Sequence, residues 1–298
     1  MKVALYGRYF PKSHLSCLKV LFERFAENGV QVKVYEAFYR LLKNDFGFDP
    51  QGILVFNSPS ELDMDTACVF SLGGDGTFLE TVALVRDSGI PIAGINAGRL
   101  GFLTSISCEF IDEVIDTLLN KTISVENRSL IMVDGLPAPL SDFPFALNEV
   151  SIQKHGSSMV SVNVYHNDGL INTYWSDGLL VATPTGSTAY SLSVGGPIIT
   201  PDSASFVISP IAPHNLTVRP LVVPDSYKLR LEPTSRDETV ICAIDNRSMP
   251  IASGSQIFIS KAPFTVKLLM LGETDFFKRL RTKLMWGVDN RSLTGRNI

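Results

Sequence analysis

The sequence of 298 residues has only four cysteines, Cys17, Cys68, Cys108 and Cys242, and no two stand at the spacing of a metal-ligand pair. They read as small buried hydrophobes of a reducing compartment. No apolar run approaches the roughly 20 residues of a membrane-spanning helix. The opening stretch, Met1-Lys2-Val3-Ala4-Leu5-Tyr6-Gly7, is too short before its glycine for a secretory signal and reads as a first strand. Without such a signal, the Asn-x-Ser/Thr triplets beginning at Asn120, Asn127, Asn215, Asn246 and Asn290 carry no glycosylation message. Basic residues are not in excess: 26 Lys and Arg against 30 Asp and Glu give a net charge of −4. That balance excludes an overall electrostatic footprint for nucleic acid or a membrane surface. His14, His155, His166 and His214 show no ligand spacing, so no metal site is assigned to protein side chains. Internal repeats and low-complexity segments are also lacking.

What is present is the composition of a globular protein, 45% hydrophobic and 19% charged. Its length suits one large core or two ordinary domains. The first part alternates strand and helix. Residues 2–6 form a short apolar run, and Leu18, Leu21, Phe22 and Phe25 then recur on one helical face. Residues 30–35 alternate as a strand, and 67–72 form a buried strand running into Gly73-Gly74-Asp75-Gly76. Residues 77–86 read as a helix, 90–95 as a strand, and Ile111, Val114, Ile115, Leu118 and Leu119 mark another helix. This alternation predicts a mainly parallel sheet covered on both faces. After about Lys121 helical periodicity disappears. Short β-rich runs follow at 130–133, 146–153, 160–165, 170–175, 179–182, 227–231, 240–244, 256–259 and 265–271, with Asn167-Asp168-Gly169 as a hairpin turn. This half predicts a β-sandwich or related domain. Residues 275–286 regain helical spacing through Phe276, Phe277, Leu280 and Leu284 and are expected to pack back on the first domain. Lys278, Arg279, Arg281 and Lys283 then read as the solvated face of that helix. The expected division is 1–123 with 273–298, an α/β nucleotide-binding domain, and 124–272, a β-sandwich-like domain.

Three segments carry chemistry. Gly73-Gly74-Asp75-Gly76-Thr77 follows the apolar strand Val69-Phe70-Ser71-Leu72 and precedes a helix. In an open α/β sheet, ligands bind beyond the carboxyl ends of the strands. Glycines let backbone N–H groups approach phosphate oxygens, and a helix N-terminus favours anions. A carboxylate there repels phosphate unless it holds Mg²⁺ or takes a proton from a hydroxyl nucleophile, and both are phosphoryl-transfer roles. No Gly-Lys-Ser/Thr follows, so this is not a Walker loop. Leu79 stands where a dinucleotide fingerprint needs its third glycine. The alternative is a tight turn with a helix-capping Asp. Asn148-Glu149 interrupts an apolar strand, where neighbours point to opposite faces and one can meet a ligand; satisfaction by backbone groups is the alternative. In Thr183-Pro184-Thr185-Gly186-Ser187-Thr188-Ala189-Tyr190-Ser191-Leu192-Ser193, Pro184 and Gly186 end a strand and a dense set of hydroxyls follows. Such a segment can line a nucleotide pocket, or form a helix capped by Ser187 or Thr188.

Together these segments resemble the NAD kinase family. The resemblance is carried by Gly73-Gly74-Asp75-Gly76-Thr77, Asn96-Ala97-Gly98-Arg99-Leu100-Gly101-Phe102-Leu103, Asn148-Glu149, and Ser176-Asp177-Gly178 through Thr183-Pro184-Thr185-Gly186-Ser187-Thr188-Ala189-Tyr190, in the family's order. It implies a Rossmann-like N-terminal domain and a β-sandwich-like C-terminal domain, α/β plus β, with the C-terminal helix returning to the first. It implies a phosphotransferase with an alcohol acceptor, moving phosphate from ATP to the adenosine-ribose 2′-hydroxyl of NAD, with Mg²⁺ as the divalent metal. Asp75 would accept or orient the hydroxyl proton, with Gly74 and Gly76 at the phosphates. Phe102 would contact adenine, and Asn148 and Glu149 would hold the ribose and diphosphate region. Asp177, Thr188, Ala189, Tyr190, Ser191, Leu192 and Ser193 would complete the dinucleotide pocket. Ala212 and Asn246 match positions that line it, often from a neighbouring subunit. A cytoplasmic homo-oligomer, tetramer or dimer, is implied, with no nucleic-acid or membrane partner. Asn246 stands where relatives carry His, Gln or other residues, and Trp175 where some place a basic group, so another cation is needed, with Arg99 and Lys154 near the motifs. A lipid kinase and a non-catalytic NAD sensor are the competing functions.

Overall fold

The computed structural model describes residues 1–96, 98, 101–272 and 276–286. It divides into two compact units. The first comprises Met1–Thr81, Ile90–Glu126 and Leu268–Ile298, the second Val82–Gly89 and Asn127–Lys267.

The sheet of the first unit has the strand order Leu54–Phe56, Gln31–Tyr35, Lys2–Gly7, Thr66–Gly73, Ile92–Asn96, all parallel. Leu268, near the end of the long strand Ile257–Met270, pairs with Ile92. The strands are rich in Val, Ile and Leu because both faces are covered. Leu5, Phe70 and Leu72 meet Leu18, Leu21 and Phe25 of helix Leu15–Glu27 and Val114, Ile115 and Leu118 of helix Ile111–Leu119 in one core. The opposite face carries helix Asp75–Val85, fixed by a 2.9 Å bond from Thr81 Oγ1 to Ser71 Oγ and one from Tyr6 Oη to Glu80. From the first strand, Lys2–Gly7, the chain adds Gln31–Tyr35 and then Leu54–Phe56 on one side, before returning to add Thr66–Gly73 and Ile92–Asn96 on the other. The order reverses there, and the carboxyl ends of Lys2–Gly7 and Thr66–Gly73 flank the switch point where open α/β sheets bind ligands.

The second unit stacks two antiparallel sheets. One runs Leu221–Pro224, Ser205–Ile211, Gly178–Ala182, Glu149–Lys154, Thr239–Ile244, Arg247–Ala252. The other includes Gly169–Ser176, Val160–His166, Leu229–Ser235 and the start of Ile257–Met270. Val150, Ile152, Leu179, Val181, Phe206 and Ile208 from the first meet Val160, Val162, Val164, Leu229, Leu231 and Ile257 from the second in one core. The period-2 alternation that the sequence displays is the inner face of each sheet. The Asn167-Asp168 turn joins its two strands as expected, with His166 opposite Gly169.

Several elements differ from the sequence reading. The helix after the glycines starts at Asp75 rather than Thr77. Residues 256–259 and 265–271 belong to one strand, Ile257–Met270. Strands Leu54–Phe56, Ser205–Ile211, Leu221–Pro224 and Arg247–Ala252 were not anticipated. In the C-terminal helix Phe276–Leu284, the residues most completely buried are Arg279 and Leu280, whereas Phe277 and Leu284 are exposed.

Phe70 is wholly buried on a central strand, its ring edge-on to Phe25 at 5.4 Å. Phe70→Ala is expected to cost about 3–5 kcal/mol, read as a lower urea midpoint with an unchanged slope.

Candidate active site

The residues singled out from the sequence fall into two groups, one in each unit. In the first unit, strand Thr66–Gly73 ends at Gly73, whose φ of 155° and close approach to Thr77 leave no room for a side chain. Gly74 and Gly76 are exposed, and a Cβ on either would meet no protein atom within 4 Å. Asp75, between them, is the first residue of its helix and turns its carboxylate onto the loop that follows the next strand. Oδ2 accepts from the Phe102 amide at 2.8 Å. Oδ1 accepts from the amides of Leu103 at 3.1 Å and Thr104 at 3.0 Å and from Thr104 Oγ1 at 2.9 Å. Three consecutive amides on one carboxylate form a rigid, charge-assisted cradle. Gly101 is fixed by it, because a Cβ there would lie 1.8 Å from Asp75 Oδ1 and 2.2 Å from Thr104 Oγ1. Of the segment 96–103, Ala97, Arg99 and Leu100 lie outside the described residues, so Arg99 as a candidate cation does too. Lys283 of the C-terminal helix sets its ammonium 4.5 Å from the centroid of the half-buried Phe102 ring.

In the second unit, Asn148-Glu149 is not the interior of one strand. Phe145–Ala146 ends, Leu147 and Asn148 bend, and Glu149–Lys154 begins. The break has a specific cause. Asp245, at the hairpin between Thr239–Ile244 and Arg247–Ala252, accepts from the amides of Leu147 (2.9 Å), Asn148 (2.8 Å) and Glu149 (3.2 Å). Arg247, two residues on, donates to the Phe143 and Phe145 carbonyls at 2.5 and 2.7 Å. The hairpin corner thus holds the segment 143–149 at both ends. Burial pushes the Asp245 carboxyl up despite the three amides. Burial, reinforced by the Asp245 charge, pushes Glu149 up to about 8, while the Tyr190 amide works the other way. Glu149 Oε2 is buried with no hydrogen-bond partner among the described residues. At neutral pH this is a carboxylic acid able to donate a hydrogen bond to a polar ligand.

The hydroxyl-rich segment folds over the outer face of strand Gly178–Ala182, with Tyr190 and Val194 against Leu180, Ala182 and Val207. Thr183 donates its hydroxyl to the Leu147 carbonyl and its amide to the Asn148 carbonyl. A Cβ on Gly186 would sit 2.1 Å from Asn148 O, so this backbone approach requires glycine. Neither Ser187 nor Thr188 caps the short helix Tyr190–Ser193; their hydroxyls go to the Pro184 and Thr185 carbonyls inside the preceding 3-10 turn. Thr188, Ala189, Tyr190 and Leu192 are half-buried, Ser191 is buried and Ser193 is exposed. Asp177 is half-exposed and pairs with Lys154 at 2.8 Å, which commits that lysine and removes it as a free cation. Ala212, just past strand Ser205–Ile211, and Asn246, at the hairpin tip, are both exposed. Within this unit Asn148, Glu149, Tyr190 and the 245–246 corner come together. Thr104 and Asp245 have no role in the sequence reading, Gly101 appears there only within the segment 96–103, and Lys283 is assigned there to a solvated helix face. The available signal for Asp245 was a carboxylate placed directly after an apolar strand at a hairpin corner.

The family model of the ATP-NAD kinase N-terminal domain matches residues 12–123, and that of the ATP-NAD kinase C-terminal domain matches residues 147–271. The chain belongs to the NAD kinase family. It is 40% identical to an NAD kinase of Flavobacterium johnsoniae over 301 aligned positions, covering 98% of this chain and all of that one. It is also 40% identical to an NAD kinase of Bacteroides fragilis, with 98% and 100% covered. Among solved structures it resembles a yeast NADH kinase complexed with NADH, with a TM-score of 0.84 at 21% identity, covering 97% of this chain and 89% of that one. It resembles an NAD kinase from Archaeoglobus fulgidus in complex with ATP, with a TM-score of 0.74 at 26% identity, covering 96% and 99%. The α/β first unit and β-rich second unit are the architecture of this family.

Gly101→Ala is expected to disrupt the cradle and cost about 2 kcal/mol or more through overpacking, read by chemical denaturation. Glu149 binds its proton more tightly folded than unfolded, so its contribution to stability falls as pH rises from 4.5 to about 8. Glu149→Gln lacks that loss. Its thermal stability relative to the parent should climb across this window and level off above it; a constant difference would contradict a protonated Glu149.

Proposed function

We propose that this chain transfers the terminal phosphate of ATP to the 2′-hydroxyl of the adenosine ribose of NAD, giving NADP. The observation that carries the reading is the placement of Asp75 between two unobstructed glycines, at the carboxyl end of a strand beside the switch point of the sheet. Family membership along nearly the whole chain supplies the substrates.

Gly74 and Gly76 leave space above the loop for phosphate oxygens to reach backbone N–H groups. Mg²⁺ arrives on the triphosphate, as part of the substrate, and neutralises charge on it. Asp75 receives the hydroxyl proton. Its Oδ1 is occupied by three donors but Oδ2 by only one, which leaves an acceptor position open on Oδ2. The cradle fixes that position in advance, so little reorganisation is needed when the hydroxyl attacks. Phe102 offers its ring to adenine. In the second unit Asn148 and the acid form of Glu149 bind ribose and diphosphate, and Asp177, Thr188, Ala189, Tyr190, Ser191, Leu192 and Ser193 complete the dinucleotide pocket. Exposed Ala212 and Asn246 meet NAD from the surface, in keeping with a homo-oligomer, tetramer or dimer, of the cytoplasm. No helix among the described residues is long and apolar enough to cross a membrane.

Asp75→Asn should reduce NADP formation from ATP, Mg²⁺ and NAD by about a hundred-fold or more, read by a coupled NADP-specific dehydrogenase. The asparagine amide also presents donors to the loop's own donors, so NAD binding by calorimetry is measured alongside. Retained NAD binding with lost turnover supports the proton-accepting role, and near-normal turnover sinks it. NAD binding by the parent without ATP consumption would favour the sensor.

A further inference from the structure

The basic cluster of the C-terminal helix does not form the uniformly solvated face expected from the sequence. Lys278 and Arg281 are exposed, but Arg279 and Lys283, one turn apart, face inward. Arg279 is 4% exposed and is tied to Met270 Sδ at 3.8 Å and Glu126 at 3.4 Å. Lys283 is different. Its ammonium lies over the Phe102 ring, yet among the described residues its nitrogen has no hydrogen bond and no ion pair.

That arrangement is costly unless something completes it. Burial draws the Lys283 ammonium down to about 8, against the pull of the Asp75 carboxylate and with the Arg279 charge adding to the burial. A cation–π contact offsets part of this, but leaves the three N–H donors of the ammonium unspent. Phe102 contributes its amide to the Asp75 cradle. The ammonium therefore stands beside the loop that presents Gly74, Asp75 and Gly76. A polyanion arriving at that loop meets the Asp75 charge and needs a compensating cation. Two other basic residues are already committed, Arg8 to Glu80 at 3.0 Å and Lys154 to Asp177 at 2.8 Å.

We propose that Lys283 binds the triphosphate of the donor nucleotide, so that the C-terminal helix supplies a cation to the phosphoryl-transfer site. The assignment rests on the NAD kinase reading and extends it to a helix beyond the matched family segments, which end at residue 271. Lys283 acts as a point charge on the phosphate oxygens, and the Phe102 ring holds the ammonium in place. A bound triphosphate keeps the ammonium protonated and uses its free donors.

The test compares the full-length parent with Lys283→Met, which keeps an unbranched stem, and Lys283→Arg, which restores the charge. ATP binding with Mg²⁺ and NAD binding are each followed by calorimetry, alongside KM for both substrates and the melting temperature. Lys283→Met should weaken ATP binding and raise KM for ATP by about ten-fold or more, leave NAD within about two-fold, and regain most of the loss as Lys283→Arg. ATP affinity within about two-fold of the parent in Lys283→Met would overturn the proposal. So would equal losses for ATP and NAD with a lowered melting temperature, the signature of a helix staple. A parent that binds ATP but forms no NADP would remove the NAD kinase reading, while the binding comparison would still decide the role of Lys283.

Discussion

Both chemically active segments hang on the same device, one carboxylate accepting three consecutive backbone amides. Asp75 collects the amides of residues 102–104 and Asp245 those of 147–149. Consecutive N–H groups converge on one point only where the chain leaves regular strand geometry, so each carboxylate both requires and fixes an irregular loop. Charge-assisted bonds of this kind are about twice as strong as neutral ones. Three partly buried donors would otherwise lack acceptors, each at a cost of about 1–3 kcal/mol. Much follows from these two contacts: the exclusion of a side chain at Gly101, the bend at Leu147 and Asn148, and the close approach of Gly186 to the Asn148 carbonyl.

The second cradle also sets the chemistry of its neighbour. Asp245 spends its oxygens on backbone amides, and Arg247, although its charge acts on Asp245, gives its hydrogen bonds to the Phe143 and Phe145 carbonyls. Glu149, itself largely buried, answers by holding its proton. Burial pushes both acids of this corner up, but Asp245 is fixed by three backbone amides while Glu149 keeps an oxygen without a partner among the described residues. A neutral acid with a free oxygen suits a sugar hydroxyl, which can donate and accept, better than it suits a bare phosphate.

The parts of the fold that were legible in the sequence were those governed by period and by glycine. Leu18, Leu21 and Phe25 marked a helix face that is buried as expected, and the glycine run marked the strand-to-helix turn. Three of the unanticipated strands contain a proline, Pro210, Pro224 or Pro250, which argues against strand in a local reading, and the fourth, Leu54–Phe56, is only three residues long. The structure accommodates the prolines where a missing N–H costs little. Pro210 lies past the last pairing with Leu221–Pro224, Pro224 ends its strand, and Pro250 is on the sheet edge. Pro263 also lies between the runs 256–259 and 265–271 that the structure joins as Ile257–Met270, and it falls between that strand's pairings with Leu229–Ser235 and with Ile92. The site was legible as motifs but not as contacts. Asp245 is nearly a hundred positions from the amides it binds, with sequence separations of 96 to 98, and no local pattern encodes that distance.

The same limit explains Lys283. On a helical wheel, a lysine among Lys278, Arg279 and Arg281 belongs with the solvent-facing charges, and hydrophobic residues are assigned inward by default. Here the helix lies against a surface that already carries Phe102 and the Asp75 carboxylate, so an amphipathic cation fits it well. The ammonium sits over the ring while remaining near an anion. On the proposed mechanism this corrects an imbalance that the glycine motif cannot correct alone. Asp75 must keep its negative charge to accept a proton, yet that charge opposes the approach of ATP. A cation held by an aromatic ring rather than by a carboxylate can offset the repulsion without being neutralised in advance.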